Sequence, residues 1–203
     1  HHAEETNRVT IAKLEGLLAK DRVKAVGETG LDFFRDFSPR TAQIKSFEQH
    51  IELAIETRLP MFLHERDAHP TFTEVLSGYR DDLGELVVHC FTGGKEALHA
   101  YLDLDCHIGI TGWICDERRG QHLLTLVKDI PSDRLMIETD APYLMPRNIK
   151  PKPKTLRNEP QYLRAVCETV AECRGSTIDE VASQTTHNAR RFFNLPAPPD
   201  EKN

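Results

Sequence analysis

The stretch "RLMIETDAPYL", residues 134–144, places three apolar residues directly before two carboxylates. The apolar run 135–137 has the composition of a buried strand, and Glu138 and Asp140 follow it at once. A strand can end in carboxylates if its tip opens onto a polar cavity where bound cations offset the cost of removing charge from water. Because side chains alternate along a strand, Glu138 and Asp140 should face the same way, with Glu138 one layer deeper.

Short apolar runs without regular alternation occur four more times and predict strands that are buried on both faces of a parallel sheet. They cover residues 23–28, 60–65, 85–91 and 106–112. Amphipathic helical patterns lie between them, and the clearest begins with Ser38 as N-cap and Pro39 at the first helical position. The sequence therefore predicts a βαβ series in the α/β class.

Two further helices are expected after the last strand. The first is stopped by Gly175, and the second begins near Thr177 with Glu180 in the position of a capping box. The chain has 203 residues, of which 39% are hydrophobic, so a single domain over residues 1–195 is expected, with a disordered tail over 196–203.

Charge and cysteine usage restrict the function further. With a net charge of −6, a nucleic-acid partner would have to be held by local cations or bound metal rather than by a generally basic surface. Five cysteines without a CxxC pair are typical of a cytoplasmic or otherwise intracellular protein. No apolar stretch approaches the length of a membrane span, so no membrane partner is predicted. No obligate protein partner is predicted either.

Metal-competent side chains lie at or just after the ends of four predicted strands, namely Glu28, His64, His89 and Asp140. The carboxyl ends of parallel strands meet at one edge of the sheet, where active sites assemble. Two histidines with two carboxylates suit Zn, Mn or Mg in a paired site better than Ca, which prefers oxygen alone. We therefore predict a metal site, with Asp140 as ligand or base and Glu138 as an acceptor that orients a ligating imidazole.

Each of these residues also has a structural explanation. A single histidine at a strand end is more often a satisfied structural residue than a ligand. Glu28 could pair with Arg66 or Lys24, and Asp140 could start the turn that precedes Pro142. Four such coincidences on successive elements favour the metal site.

Candidate substrate contacts lie beside the predicted ligands. Arg66 follows the second strand, and Gly93 opens a helix where backbone N–H groups can approach an anion. The proline-rich, basic segment 141–160 adds Arg147 and Arg157. A solvated surface is the alternative for these loop cations, but a basic loop beside an acidic pocket is where a phosphate backbone needs positive charge.

Six motifs together resemble the TatD family of metal-dependent deoxyribonucleases, over nearly the whole chain and in order. They are "GETGLDF" (27–33), "HERDA" (64–68), "HCFTG" (89–93), "ITGWICDERRG" (110–120), "ETDAPYL" (138–144) and "RNEP" (157–160). The resemblance implies a TIM (β/α)8-type barrel of the amidohydrolase superfamily that hydrolyses phosphodiester bonds with two divalent ions, Mg, Mn or Zn. It further implies 3′ to 5′ exonuclease action on DNA, with single strands and RNA as further expected substrates.

The resemblance also assigns roles residue by residue. Glu28, His64, His89 and Asp140 match metal-ligand positions of that family, and Asp140 is in addition the candidate base that takes a proton from the attacking water. Members of the family generally begin with three strands that precede the first strand seen here. We therefore expect a domain that is incomplete at its N-terminus, with about five of the eight barrel strands, which cannot close a barrel.

Two other functions stay open at the level of sequence. The same scaffold supports ester or amide hydrolysis, as in a deacylase. A truncated, catalytically inactive remnant that acts by binding is the second alternative.

Overall fold

A five-stranded, wholly parallel sheet forms the centre of the molecule, in the order β1-β2-β3-β4-β5. The computed structural model describes residues 1–196. The strands are β1 Val26–Asp32, β2 Met61–Arg66, β3 Leu86–Val88, β4 Cys106–Ile110 and β5 Leu135–Ile137. All five predicted strands are confirmed, and within the described residues the sheet is open, with β1 and β5 at its edges.

Seven α-helices surround this sheet among residues 1–196. They are α1 Arg8–Leu18, α2 Arg40–Thr57, α3 His69–Tyr79, α4 Lys95–Asp103, α5 Leu123–Leu126, α6 Leu163–Arg174 and α7 Ile178–Phe192. The expected cap of α2 is wrong, because Pro39 occupies the N-cap and the Ser38 hydroxyl instead donates to the carbonyl of His1 (3.0 Å). The αL residue Gly175 ends α6, and Thr177 forms a capping box with Glu180, both as predicted.

The main core lies between the sheet and the helices α2, α3 and α4. Phe47, Phe72 and Tyr101 are completely buried there, and the rings of Phe47 and Phe72 stack 5.2 Å apart. Burial of each such side chain contributes about 1.5–3 kcal/mol relative to leaving it in water. This packing fixes the strands from their outer face.

A smaller apolar cluster covers the inner face of the sheet. Val87 and Met136 point inward from β3 and β5 and pack with Phe192, at the end of α7, and with Phe62 and Phe193. The end of α7 therefore covers this face of the sheet. Polar side chains are left to project from the carboxyl ends of the strands.

Strand β1 departs from the prediction in a way that shapes the site. Gly27 pairs with Phe62 and Thr29 pairs with Leu63, so Glu28 is an extra residue without a partner, as in a β-bulge. The strand does not end at Glu28 but continues to Asp32. His64 lies near the end of β2, as predicted, and His89 and Asp140 follow the strands that precede them.

Gly30 permits this continuation of β1. Its φ of 145° is unfavourable for any other residue, and a Cβ there would overlap the carbonyl oxygen of His64. Beyond Pro196, the tail expected over 196–203 lies outside the described residues. None of the helices within residues 1–196 combines the length and the hydropathy that a bilayer crossing requires.

Candidate metal centre

Three of the predicted ligands meet at the carboxyl end of the sheet. One donor atom from each of Glu28, His64 and His89 lies within 4.8 Å of the other two. Glu28 Oε1 is central, at 2.9 Å from His64 Nδ1 and 3.0 Å from His89 Nε2. The bulge in β1 turns Glu28 toward both imidazoles, which arrive from β2 and from the end of β3.

The charges in this group are strongly coupled. Hydrogen bonds from His64 and His89 hold the pKa of Glu28 well below its usual range. Burial favours the neutral imidazole of His89, but hydrogen bonds to Glu138 and Glu28 outweigh this effect and raise its pKa to about 10. The arrangement therefore favours positive charge between its carboxylates.

Glu138 holds the other side of the His89 ring. Its Oε1 lies 3.6 Å from His89 Nδ1 and accepts a hydrogen bond from the backbone N–H of Cys90. A Cβ on Gly109 of β4 would overlap this carboxylate, so the absence of a side chain there makes room for it. With Nδ1 directed at Glu138, the other nitrogen of His89 faces Glu28, which is the arrangement expected of a carboxylate that orients a metal ligand.

Asp140 is close to this group but is not part of the close set of donors. Burial raises its pKa above the ordinary value, and its charge interacts with those of His89, Glu28 and Glu138. Its carbonyl oxygen accepts from the N–H of Tyr143 (2.7 Å), so it also starts the turn that the sequence allowed as an alternative. The structure therefore brings three of the four predicted ligands together and leaves Asp140 at their side.

Asp32 belongs to the site and was missed by the sequence interpretation. This buried carboxylate lies 3.2 Å from His64 Nε2 through Oδ2. Its Oδ1 accepts from the backbone N–H groups of Phe34 (3.1 Å) and Arg35 (2.8 Å). The available signal was the spacing of Glu28 and Asp32 in the motif 27–33. The predicted strand ended at residue 28, however, and the bulge that lets β1 continue to Asp32 was not predicted.

Arg66 lies at the rim of the group, between two aromatic rings. Its guanidinium is 4.0 Å from the centre of the Phe34 ring and 5.6 Å from that of Trp113. Trp113 also lines a cavity of about 420 Å³ that adjoins the long segment after β5. The basic residues of this cavity are Arg118, Arg119, Arg147, Lys150 and Lys152.

The other predicted substrate residues are spread around this edge. Arg147 donates to both oxygens of Glu117, at 2.7 and 2.9 Å, so its guanidinium is already engaged. The Arg157 side chain is exposed, and Gly93 lies two residues before α4. These phosphate contacts stay predictions.

The comparisons with known proteins identify the family. The profile described as TatD related DNase matches residues 1–194. The chain belongs to this family. Proteins named 3′-5′ ssDNA/RNA exonuclease TatD from Erwinia amylovora and Erwinia billingiae are both 48% identical to it, over 195 and 197 residues. These matches cover 96% and 97% of the chain and 75% and 76% of the relatives.

Solved structures agree on the fold. YJJV, a TatD homologue from Escherichia coli K12, superposes with a TM-score of 0.84 at 28% identity, covering 96% of this chain and 74% of that one. A hydrolase of the TatD family from Entamoeba histolytica gives 0.80 at 26% identity, covering 94% and 69%. The predicted TIM-barrel fold is thus confirmed as that of TatD proteins, and the chain is a hydrolytic nuclease of this type.

The donor set of this TatD chain fits a metal, as expected for a metal-dependent family. Two imidazole nitrogens and a carboxylate oxygen converge, and this mixture suits transition metals and zinc better than calcium. Glu138 and Asp32 each contact a further nitrogen of these imidazoles, as outer carboxylates do in histidine-rich metal sites. Glu28, His64 and His89 are the residues that would hold the ion.

Proposed function

We propose that this chain is a metal-dependent 3′–5′ exonuclease that hydrolyses phosphodiester bonds in single-stranded DNA or RNA. The observation that carries the proposal is the convergence of Glu28, His64 and His89 within 4.8 Å at the carboxyl end of the sheet. The names of the Erwinia relatives, which are 3′-5′ ssDNA/RNA exonucleases, support the direction of cleavage and the single-stranded substrates.

The cofactor we propose is a pair of divalent ions, Mg, Mn or Zn. Glu28 would hold the ions together with the two histidines, since one of its oxygens is within 3.0 Å of a nitrogen from each of them. Bound divalent ions supply positive charge that stabilises the phosphate in the transition state and promotes ionisation of water. His64 and His89 hold that charge in place, and Glu138 keeps the ring of His89 oriented.

Asp140 is the proposed general base and an additional ligand. Its pKa is raised by burial, which moves it toward the operating pH and makes it a better proton acceptor. It takes the proton of the water that attacks phosphorus. Arg66, Gly93, Arg147 and Arg157 are proposed to hold the phosphate backbone on the approach to the site.

We further propose a reducing, cytoplasmic location. All five cysteines are free thiols, and burial raises the pKa of Cys90 and of Cys106 to about 12, so they stay protonated and unreactive.

The test is cleavage of a 5′-labelled single strand, in parallel for DNA and RNA, with Mg, Mn or Zn and with EDTA. We expect a ladder that shortens from the 3′ end and that EDTA abolishes. His89→Gln should lower the cleavage rate by about 100-fold or more, because it removes a proposed metal ligand. His99→Gln is the matched control, because His99 lies half-exposed on α4 and contacts only Asp129 among the charged groups of residues 1–196 (3.5 Å).

Contrary outcomes are specific. Cleavage that EDTA leaves unchanged would exclude the metal mechanism, and equal losses in His89→Gln and His99→Gln would exclude the assigned site. Turnover of an aminoacyl ester, with none of the oligonucleotides, would favour the ester or amide hydrolase.

A further inference from the structure

Phe34 is an aromatic residue whose side chain is not buried in the core. It is the second residue after β1, and 59% of its surface is exposed, although burial of a phenylalanine is among the larger favourable terms in folding. Its neighbour Phe33 instead packs against the core. No other aromatic ring packs on Phe34 among residues 1–196.

The Phe34 ring is nonetheless held in place. The guanidinium of Arg66 lies 4.0 Å from the ring centre, in a cation–π contact. The backbone N–H of Phe34 donates to Asp32 Oδ1 (3.1 Å). Phe34 is thus fixed through its backbone and through one face of its ring. Such a residue is pre-organised to contact a ligand with the exposed surface of the ring.

The ring is also tied to the metal centre. Asp32 holds the Phe34 backbone with one carboxylate oxygen, while the other lies 3.2 Å from His64 Nε2. Arg66, which packs on the ring, is two residues after His64 on β2 and so projects from the same face of that strand. Both connections place Phe34 at the same edge of the sheet as the metal ligands.

We propose that Phe34 is a stacking platform for an unpaired nucleobase adjacent to the scissile phosphate, with Arg66 supporting the ring from behind. The inference rests on the proposed nuclease function and specifies how the enzyme selects single strands. Every base has a π-face, so stacking on Phe34 is independent of sequence, whereas the paired and stacked bases of a duplex do not offer a free face. Phe34 would thus determine the preference for single strands over duplexes.

The experiment compares two single strands that differ only at the 3′ end, one with bases throughout and one with abasic sites at its last two positions. Four proteins are used: the wild type, Phe34→Leu, Phe34→Tyr and the control Phe37→Leu. Phe37 is 67% exposed on the same loop, and within residues 1–196 no guanidinium lies over its ring. Binding is measured separately, in EDTA, by quenching of a 2-aminopurine base at the 3′ end.

We expect Phe34→Leu to lower the preference for the base-bearing strand, as a ratio of KM values, by about 5- to 100-fold. Phe34→Tyr restores the preference, Phe37→Leu keeps it, and 2-aminopurine quenching is lost in Phe34→Leu alone. An unchanged preference in Phe34→Leu, or an equal loss in Phe37→Leu, would overturn the proposal. If the wild type cuts neither strand, the proposed nuclease function fails, and the stacking proposal is then decided by the quenching measurement alone. Quenching in the wild type that is lost in Phe34→Leu supports the stacking platform. No quenching in the wild type refutes the stacking platform.

Discussion

Glu138 occupies the space that a side chain on Gly109 would fill. From there it contacts His89 Nδ1 and the backbone N–H of Cys90, so it sets the orientation of the ring. Removal of such an outer carboxylate usually lowers metal affinity 10- to 100-fold. We expect Glu138→Gln to weaken divalent-ion binding by about this factor, measured by calorimetric titration.

Gly109→Ala gives an independent version of the same prediction. The new Cβ would displace the Glu138 carboxylate, so metal affinity should fall about as far as in Glu138→Gln, by about 10- to 100-fold. Gly78→Ala is the matched control, since no atom lies within 4 Å of a Cβ on this helical glycine. Full metal affinity in Gly109→Ala would contradict the assigned position of Glu138.

Asp140→Asn tests the proposed base. The side chain keeps its shape, and the turn to Tyr143 depends on the backbone carbonyl of residue 140, so folding should be unchanged. The amide cannot accept the proton, and kcat should fall by about 10²–10⁴-fold. Single-turnover rates and thermal melting check both parts, and activity within a few-fold of the wild type would refute the role.

At the level of individual residues, the sequence predicted which side chains form the site better than it predicted their geometry. Glu28, His64 and His89 are recognisable because ligand-type residues recur at or near the ends of the predicted strands. Asp32 is not recognisable in that way, because its place depends on the bulge at Glu28, and a bulge is set by pairing with another strand rather than by local sequence. The ion pair of Arg147 with Glu117 likewise needs two segments far apart in sequence.

Among the elements, His107 links β4 to the end of α7. The ring is completely buried, with Nδ1 3.3 Å from both the Leu86 carbonyl and Glu85 Oε2, and with Nε2 3.2 Å from an Arg191 nitrogen. Burial lowers its pKa, an effect that Glu85 opposes and that Arg134 and Arg191 reinforce. The neutral imidazole is therefore the form that fits the fold.

The sign of the pH dependence follows from this lowered pKa. An unfolded histidine takes up its proton near pH 6.5, at roughly the ordinary value, whereas folded His107 does so only at lower pH. Below about pH 6.5 the unfolded state thus binds more protons, and stability falls by up to about 1.4 kcal/mol per pH unit until the folded pKa is reached. The raised pKa of His89 acts in the opposite direction over this range, so the measured quantity is the difference between the wild type and His107→Gln. In urea unfolding between about pH 7.5 and 5, the wild type should lose stability relative to His107→Gln as the pH falls. If the free energy of unfolding falls equally steeply with pH in His107→Gln and in the wild type, the loss of stability belongs to other groups.

The elements themselves were predictable where apolar runs were strong. All five strands follow from such runs, and the amphipathic patterns between and after them predict α2, α3, α4, α5, α6 and α7. Helix α1 was not anticipated, and none of its residues is fully buried, although Ile11, Leu14 and Leu18 pack against the core and Asn7 and Thr10 form a capping box at its start. The N-cap of α2 was misplaced because the hydroxyl of Ser38 has a partner from outside the helix, the carbonyl of His1.

For the molecule as a whole, the metal ligands depend on how three adjacent strands are held together. Glu28, His64 and His89 come from β1, β2 and the end of β3, which pair in that order. Within residues 1–196 the sheet is open beyond β1 and β5, and the chain spans about three quarters of the length of its Erwinia relatives. The close set of donors therefore lies entirely in the part of the fold that the structure describes.

A metal bound to ligands from three strands should stabilise the whole sheet. An ion that binds only the folded state at about 100 times its Kd adds about 2.7 kcal/mol, which corresponds to a rise in Tm of about 5–10 °C for a chain of this size. We expect this rise in calorimetry on adding Mn or Zn, its reversal by EDTA, and its loss in Glu28→Gln, which removes the charge between the two histidines. His99→Gln should keep the full rise, because His99 lies on α4. A rise of equal size in Glu28→Gln would place the stabilising ion elsewhere on the molecule and would refute this centre.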